Sequence, residues 1–436
     1  MPDCRPMTIA HPHPELPREP TSVFEAPTKS LKIALLGYRS APHVGGQGIY
    51  IKYLAAALVR AGHQVDVYSG PPYPELEVGA RLIKVPSLDL YACDNHVTAL
   101  RWQHLRSFSD TYEWWTMLTG GFAEPYTFGR RLEKYLSPGD YDIIHDNQSL
   151  CYGLLNLQNR GAKVVATIHH PIHRDRELAL AEQNDWGMRL LVKRWYSFLR
   201  MQERVVRGLE HIVTVSQCSQ RDIATHFQLR GEVSVITNGI DINTFKPLAA
   251  IRKQPLRLIT TASSDQPLKG LRYLLLALNR LRQQWPAIEL RIIGKLSDNS
   301  PNRKLIDELE LATHVSFVSG ISSEDLAAEY NRASVAVCPS LYEGFGLPAG
   351  EAMACELPVV STNGGALPEV VGDAGVIVPA GDAEALAAAI HNLLDSPDHA
   401  KALGVRARQR IETHFCWDAV ARQLTQYYQR VITSTC

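Results

Sequence analysis

From residue 31 onward, short β-branched apolar runs alternate with longer stretches whose apolar positions recur at helical spacing. LKIALLG is followed by GIYIKYLAAALVRAG and then HQVDVYS, and the runs YDIIHDN, AKVVATIHH, HIVTVS and VSVITNG continue the series. Strands that alternate with helices are joined by crossovers, so the pattern predicts an α/β fold built on a doubly wound parallel sheet. The rhythm restarts after Pro255 with LRLITTAS, a helix from Lys269, IELRIIGK, HVSFVSG, ASVAVCPS, LPVVSTNG and GVIVPAG. A second sheet is therefore expected. NGIDINTFKPLAAIRKQP is turn-rich and aperiodic and suits a connector between the two. We divide the chain into an extension at 1–30, a first domain at 31–245 and a second at 246–412. A closing helix at 413–436 is open to crossing back onto the first domain. Ligands of such sheets bind beyond the strands' carboxyl ends, which places the expected site in a cleft between two facing domains.

Two stretches depart from this rhythm. Residues 87–136 carry Trp102, Phe108, Tyr112, Trp114, Trp115, Phe122 and Tyr126, and are too long for a simple connection. They read either as an insertion over the cleft mouth that grips an acceptor or as a satellite core. RLLVKRWYSFLRMQERVVR, at 189–207, mixes basic and aromatic residues on a helical pattern. It suits a long helix with core-facing aromatics and solvated arginines, and it leaves peripheral contact with an anionic membrane open.

Composition narrows the partners. The 436 residues include 45 basic and 45 acidic side chains, near balance on both sides of residue 245, so the charge excess of a nucleic-acid binder is missing. Eight scattered cysteines without a CxxC pair suit a reducing compartment. The first thirty residues hold seven prolines and no signal-like apolar core, and no eighteen-residue apolar window occurs. A cytoplasmic protein with a disordered amino-terminal extension is expected.

The candidate chemistry centres on YEGFGLPAGE, residues 342–351. Glu343 follows a predicted strand, so its carboxylate should emerge at the sheet's carboxyl edge. Gly344 and Gly346 permit close approach of backbone to a ligand, and a helix opening near Leu347 aims unpaired N–H groups at the same point, where phosphate is stabilised. Glu351, about a turn into that helix, can reach a polyol such as ribose; it can equally be a surface residue on the helix.

The segment PSLYEGFGLPAGEAMACELPVVSTNGGALPEVV resembles the E-x7-E region of the family 4 glycosyltransferases, retaining enzymes of the GT-B fold. VGGQGIYIKYLAAALVRAGHQV resembles their glycine loop and first helix, VVATIHH their histidine strand, and TVSQCSQRDI and NGIDINTFKP later landmarks of the first domain. The resemblance implies two Rossmann-like domains, a nucleotide diphosphate sugar as donor and a hydroxyl acceptor. It implies that Glu343 binds hydroxyls of the transferred sugar and Glu351 those of ribose, with backbone amides around Phe345, Gly346 and Leu347 on sugar and diphosphate. Gly45 and Gly46 would let the first helix face that diphosphate from the other domain. Lys269 matches the lysine of the family's G-R-x4-K-G stretch and would stabilise charge growing on the leaving diphosphate, so no metal is required in principle. Ser264 stands where the family has its arginine; the missing positive charge must come from another residue, or the site leans on Lys269 and backbone dipoles. His169 matches the histidine that contacts the donor sugar.

The remaining candidates read as structural. His170 and His173 lie near His169, yet Pro171 interrupts helical spacing and no cysteine or carboxylate completes a metal set. Asp140-Tyr141-Asp142 has the form of a D-x-D metal signature but opens an apolar strand. Glu369, in GGALPE, is placed to cap or brace a loop near the nucleotide, and Glu356 is expected at the solvent after its helix. The expected reaction is front-face transfer of a hexosyl group with retention. Its alternatives are a non-catalytic nucleotide-sugar binder and a membrane-attached scaffold.

Overall fold

A computed structural model describes residues 29–41, 46–90, 100–181, 183, 185–229, 232–261, 266–297 and 300–434. Gly45 and Ser264 fall outside the described residues, as does the extension at 1–28. Among those described, thirteen strands form two parallel sheets.

The first sheet contains β1 (Lys32–Gly37), β2 (Gln64–Ser69), β3 (Arg81–Lys84), β4 (Ile143–Asn147), β5 (Val164–Ile168), β6 (His211–Thr214) and β7 (Val233–Val235), in the order β3-β2-β1-β4-β5-β6-β7. The second contains β8 (Arg257–Thr261), β9 (Glu289–Ile293), β10 (Val315–Val318), β11 (Val335–Cys338), β12 (Val359–Thr362) and β13 (Val376–Val378), in the order β10-β9-β8-β11-β12-β13. VVATI and IIHDN are both buried throughout, which in VVATI explains the continuous rather than alternating apolar pattern. In each sheet the order reverses beside the central strand, between β1 and β4 and between β8 and β11. Loops splay apart at such a reversal and leave a crevice. Tyr38 and the helix Gly46–Arg60 follow β1, Asn147 ends β4, Lys269 follows β8 and Glu343 follows β11, so the candidate groups gather at the two crevices.

Four apolar clusters fill the space between sheets and helices. One joins Ile33, Leu35, Ile51, Leu54 and Val67 of the first domain to Trp417, Val420, Leu424 and Tyr428 of the closing helix Trp417–Thr433. That helix packs on Gly46–Arg60, with the Trp417 ring stacked on Tyr53 at 5.9 Å and edge-on to Tyr50 at 5.5 Å. The two chain crossings between the domains run side by side: Ile240 donates its N–H to Phe415 O at 2.6 Å, and Ile240 pairs in parallel with Cys416. Arg408 fastens the first crossing to the second domain by donating to Phe245 O and Ala354 O, each at 2.7 Å. Gly239 is required here, because a Cβ at that position would lie 2.2 Å from Trp417 Cδ2.

The segment read as one helix at 189–207 is broken. Trp186–Trp195 ends in a 3-10 turn at Tyr196–Phe198, and a new helix begins at Leu199. Only the second piece is anchored in the core, through Leu199, Met201, Val205 and Val206; the first buries no residue. The 87–136 stretch forms helices Phe108–Leu118 and Glu124–Leu132, with residues 91–99 outside the described set. A 3-10 turn, Pro267–Lys269, precedes the helix expected from Lys269, which starts at Leu271.

Candidate functional site

Glu343 and Lys269 meet at the mouth of the second sheet. Lys269 Nζ donates to Glu343 Oε1 at 2.7 Å, and Ser340 Oγ donates to the same oxygen at 2.9 Å. The backbone of Glu343 is gripped as tightly: Ala366 N donates to Glu343 O at 2.8 Å, and a Cβ on Gly365 would fall 2.2 Å from that oxygen. Backbone contacts of this kind hold the carboxylate's base rigid. Gly346 then caps the helix Leu347–Ala354 in the left-handed region, φ +104°, with proline in the helix's first turn. The Phe345 side chain is buried and packs against Phe415, and Leu347 packs into the same cluster, so this loop offers the cleft its amides rather than its side chains.

Glu351 lies within that helix, and Tyr330 OH donates to its Oε2 at 3.3 Å. Burial pushes its carboxyl up to about 7. A buried acid with one phenolic partner retains acceptor capacity for ligand hydroxyls.

On the facing domain His169 follows β5. Its Nε2 bonds Asn147 Oδ1 at 2.7 Å, while Asn147 Nδ2 donates to Gln47 O at 3.2 Å. The second bond fixes the amide's orientation, so the imidazole proton sits on Nε2. Gln148, at φ +56°, accepts from His169 N at 2.7 Å and donates to His170 O at 2.8 Å. Tyr50 meets the His169 ring edge-on at 4.7 Å. Burial lowers His169 to about 3, so the ring is neutral at physiological pH.

The two halves touch at this point. Gly344 O accepts from Ser216 Oγ at 2.8 Å and from Ser219 Oγ at 3.2 Å, and Ser219 Oγ also reaches His169 O at 3.1 Å. A Cβ on Gly344 would stand 3.7 Å from His169 O, at ordinary contact distance across the seam. Glu369 spans the same seam, accepting from Gln217 N at 2.8 Å and Cys218 N at 2.9 Å; it caps a helix of the opposite domain, Gln217–Phe227. Tyr342 OH donates to Asp222, and the Arg174 guanidinium lies 3.7 Å from the Tyr342 ring centre.

The structure thus brings Glu343, Lys269, Gly344, Gly346 and His169 to one seam, with Glu351 behind them and Gly46 opening the first helix. Ser340, Tyr330, Asn147, Gln47, Ser216 and Ser219 were not singled out by sequence. Ser216 and Ser219 lie inside TVSQCSQRDI, where an S-x-x-S spacing at a helix start was the available signal. The other polar candidates are structural in their contacts. Asp142 accepts from Lys32 N at 2.7 Å and Tyr141 OH donates to Asp66 at 2.5 Å, while His170 and His173 pair with Asp175 and Glu203.

The description "Glycosyltransferase Family 4" matches residues 44–244, and "Glycosyl transferases group 1" matches residues 249–410. An MMP alpha-(1->4)-mannosyltransferase of Mycolicibacterium hassiacum is 44% identical over 410 residues, which cover 92% of this chain and 98% of the relative. The chain belongs to the family 4 glycosyltransferases. A glycogen synthase of Mycobacterium tuberculosis is 30% identical over 91% of this family 4 glycosyltransferase and 94% of its own length. Sucrose-phosphate synthase from Thermosynechococcus elongatus superposes with a TM-score of 0.68 at 24% identity, covering 93% of this chain and all of the other. The shared architecture is GT-B, and the chain is a glycosyltransferase. Among its described residues no helix is long and apolar enough to cross a membrane.

Proposed function

We propose that the chain transfers an α-mannosyl group, with retention, from a nucleotide diphosphate mannose to a hydroxyl of a sugar acceptor. The observation that carries the reading is the Lys269–Glu343 pair beside the amino end of helix Leu347–Ala354, with His169 facing Gly344 across the seam. The choice of mannose follows the activity for which the 44% identical relative is named.

In this reading the donor diphosphate lies between two helix amino ends, those of Leu347–Ala354 and Gly46–Arg60, whose N–H groups favour negative charge. The anomeric carbon loses its bond to the β-phosphate oxygen and gains one to the acceptor oxygen on the same face. The acceptor's proton passes to the departing phosphate oxygen. Lys269 stabilises the charge developing there, and Glu343, whose Oε1 is held by Lys269 and Ser340, uses Oε2 for a sugar hydroxyl. Glu351 takes the ribose hydroxyls. A neutral His169 contacts the sugar without adding charge beside the oxocarbenium-like centre. Ammonium and helix dipoles supply the neutralisation, so the reading requires no metal.

A panel of GDP-mannose, UDP-glucose and ADP-glucose tests it by calorimetry and by nucleotide release with methyl α-mannoside, with and without EDTA. Binding and EDTA-resistant release with GDP-mannose are expected. Binding without release in any combination would indicate a binding protein instead.

A further inference from the structure

The two stretches that depart from the strand–helix rhythm come together in space. Arg194, on helix Trp186–Trp195, donates to Thr119 Oγ1 at 3.2 Å and lies 5.8 Å from the ring centre of Trp115. A Cβ on Gly120 would meet Leu191 Cδ2 at 3.1 Å. Helix Phe108–Leu118 and helix Trp186–Trp195 therefore form one surface, and Phe122, stacked on Trp195 at 5.4 Å, joins it to the first domain. The outer side of this surface faces solvent. Trp102 is 88% exposed, Trp186 79% and Leu190 60%, and Phe108, Trp115 and Leu118 are exposed as well.

Its exposed charge has one sign. Phe108, Tyr112 and Trp115 stack along one helix face, with the Arg130 guanidinium 4.9 Å from the Phe108 ring centre. On the second helix Trp186, Arg189, Leu190 and Lys193 recur at i, i+3, i+4 and i+7, and all four are exposed on one face. Over residues 101–118 and 186–195 the exposed charged side chains are Arg101, Arg106, Arg189 and Lys193. The acids of those stretches are withdrawn, because Asp110 and Glu113 both accept from Arg131. Asp185, just before the second helix, accepts from Met188 N at 2.7 Å as its cap.

We infer that this face docks on an anionic lipid surface, with Trp102, Trp186 and Leu190 entering the headgroup layer and Arg106, Arg189 and Lys193 lying against lipid phosphates. Indole rings settle at the headgroup level, where one edge is apolar and the other wet. Arginine and lysine lay their stems along apolar neighbours and lift their charges to the phosphates. A helix that buries no residue of its own and alternates apolar with basic side chains on its outer face has the composition of an interfacial helix. A second copy of the chain fits less well. A two-fold contact would set this face against itself, cations against cations, with no exposed acid in these stretches to answer them. A nucleic acid would use the cations and leave Leu118 and Leu190 without a partner.

Co-sedimentation of the full chain with phosphatidylcholine vesicles, made with and without phosphatidylglycerol, tests this. The phosphatidylglycerol vesicles are expected to bind at least roughly tenfold more tightly, and added salt should weaken them. The double variant Arg189→Gln, Lys193→Gln should lose roughly 25-fold in affinity for them, about fivefold for each cation removed. Trp186→Ser with Leu190→Ser should weaken binding to the same vesicles, and because all four side chains are exposed the melting temperatures should match wild type. In the wild-type chain, lipids brominated on their acyl chains should quench tryptophan fluorescence, a readout that needs no variant. Equal binding to neutral vesicles, undiminished binding by both double variants, or absence of quenching would each overturn the inference. So would a dimer in sedimentation velocity that Trp186→Ser with Leu190→Ser dissolves, which would give the face to a second copy. None of these measurements uses a nucleotide sugar, so their outcome is separate from that of the glycosyl-transfer reading.

Discussion

Lys269 and Glu343, 74 positions apart in the chain, share a 2.7 Å hydrogen bond at the carboxyl edge of the second sheet. The bond holds an ammonium and a carboxylate in one place before a donor arrives, so little reorganisation is left for the transition state. In the proposed reaction Lys269→Ala should lower kcat by roughly a hundredfold to a thousandfold, the cost of losing one preorganised donor at a developing anion, and Glu343→Ala should lower it as well, by removing both the lysine's partner and the contact to a sugar hydroxyl. Nucleotide release under saturating donor measures this, with melting temperature as the control for folding. A rate within about threefold of wild type from either variant would take that residue out of the chemistry.

Glu351 makes stability depend on pH. Its carboxyl is raised from 4.5 to about 7 by burial, so between those values the folded chain holds a proton that the unfolded chain has released. Stability from this group is complete below pH 4.5, declines as pH rises toward 7 and levels off above it. Glu351→Gln carries no ionisable carboxyl there. Its melting temperature relative to wild type should climb from pH 4.5 to about 7 and then hold constant. A difference that stays flat across the range would mean that Glu351 ionises as an ordinary surface acid.

Glu369 ties the second domain to the first by capping helix Gln217–Phe227. Glu369→Ala leaves two helix N–H groups without their carboxylate and should cost about 1 kcal/mol by denaturant titration. Small-angle scattering of the donor-free variant should give a larger radius of gyration than wild type, narrowing again when nucleotide sugar is added. An unchanged radius in both states would show that the seam closes without this cap.

Trp417 is buried between the closing helix and Tyr50 and Tyr53 of the first. Trp417→Ala should destabilise the chain by about 3–5 kcal/mol in denaturant titration. Because Tyr50 touches both Trp417 and His169, the KM for donor should rise as well. Loss of stability with donor KM unchanged would confine Trp417 to a packing role.

The strand–helix rhythm made the two parallel sheets legible, because fully buried strands write their burial directly into runs such as VVATI. The acidic loop was legible too, since glycine, proline and carboxylate spacing are local signals. Partners brought in by distant segments were not. Tyr330, which bonds Glu351, comes from helix Ser323–Arg332, and Asn147 reaches His169 from the neighbouring strand; nothing near either residue in sequence marks the pairing. The break at Tyr196–Phe198 was hidden for a different reason. Helical periodicity continues across it, and only the change from an unanchored piece to one buried by Leu199 and Val205 reveals the turn.

The paired crossings at Ile240 and Cys416 set how the cleft can open. A single covalent tether would let one domain swivel freely about it, whereas two adjacent segments bonded to each other act like the two knuckles of a door hinge. Rocking about the line through them is cheap; twisting would shear the Ile240–Phe415 bond and drive Gly239 into Trp417. Opening of the two halves is thereby favoured along one arc over rotation about the tether.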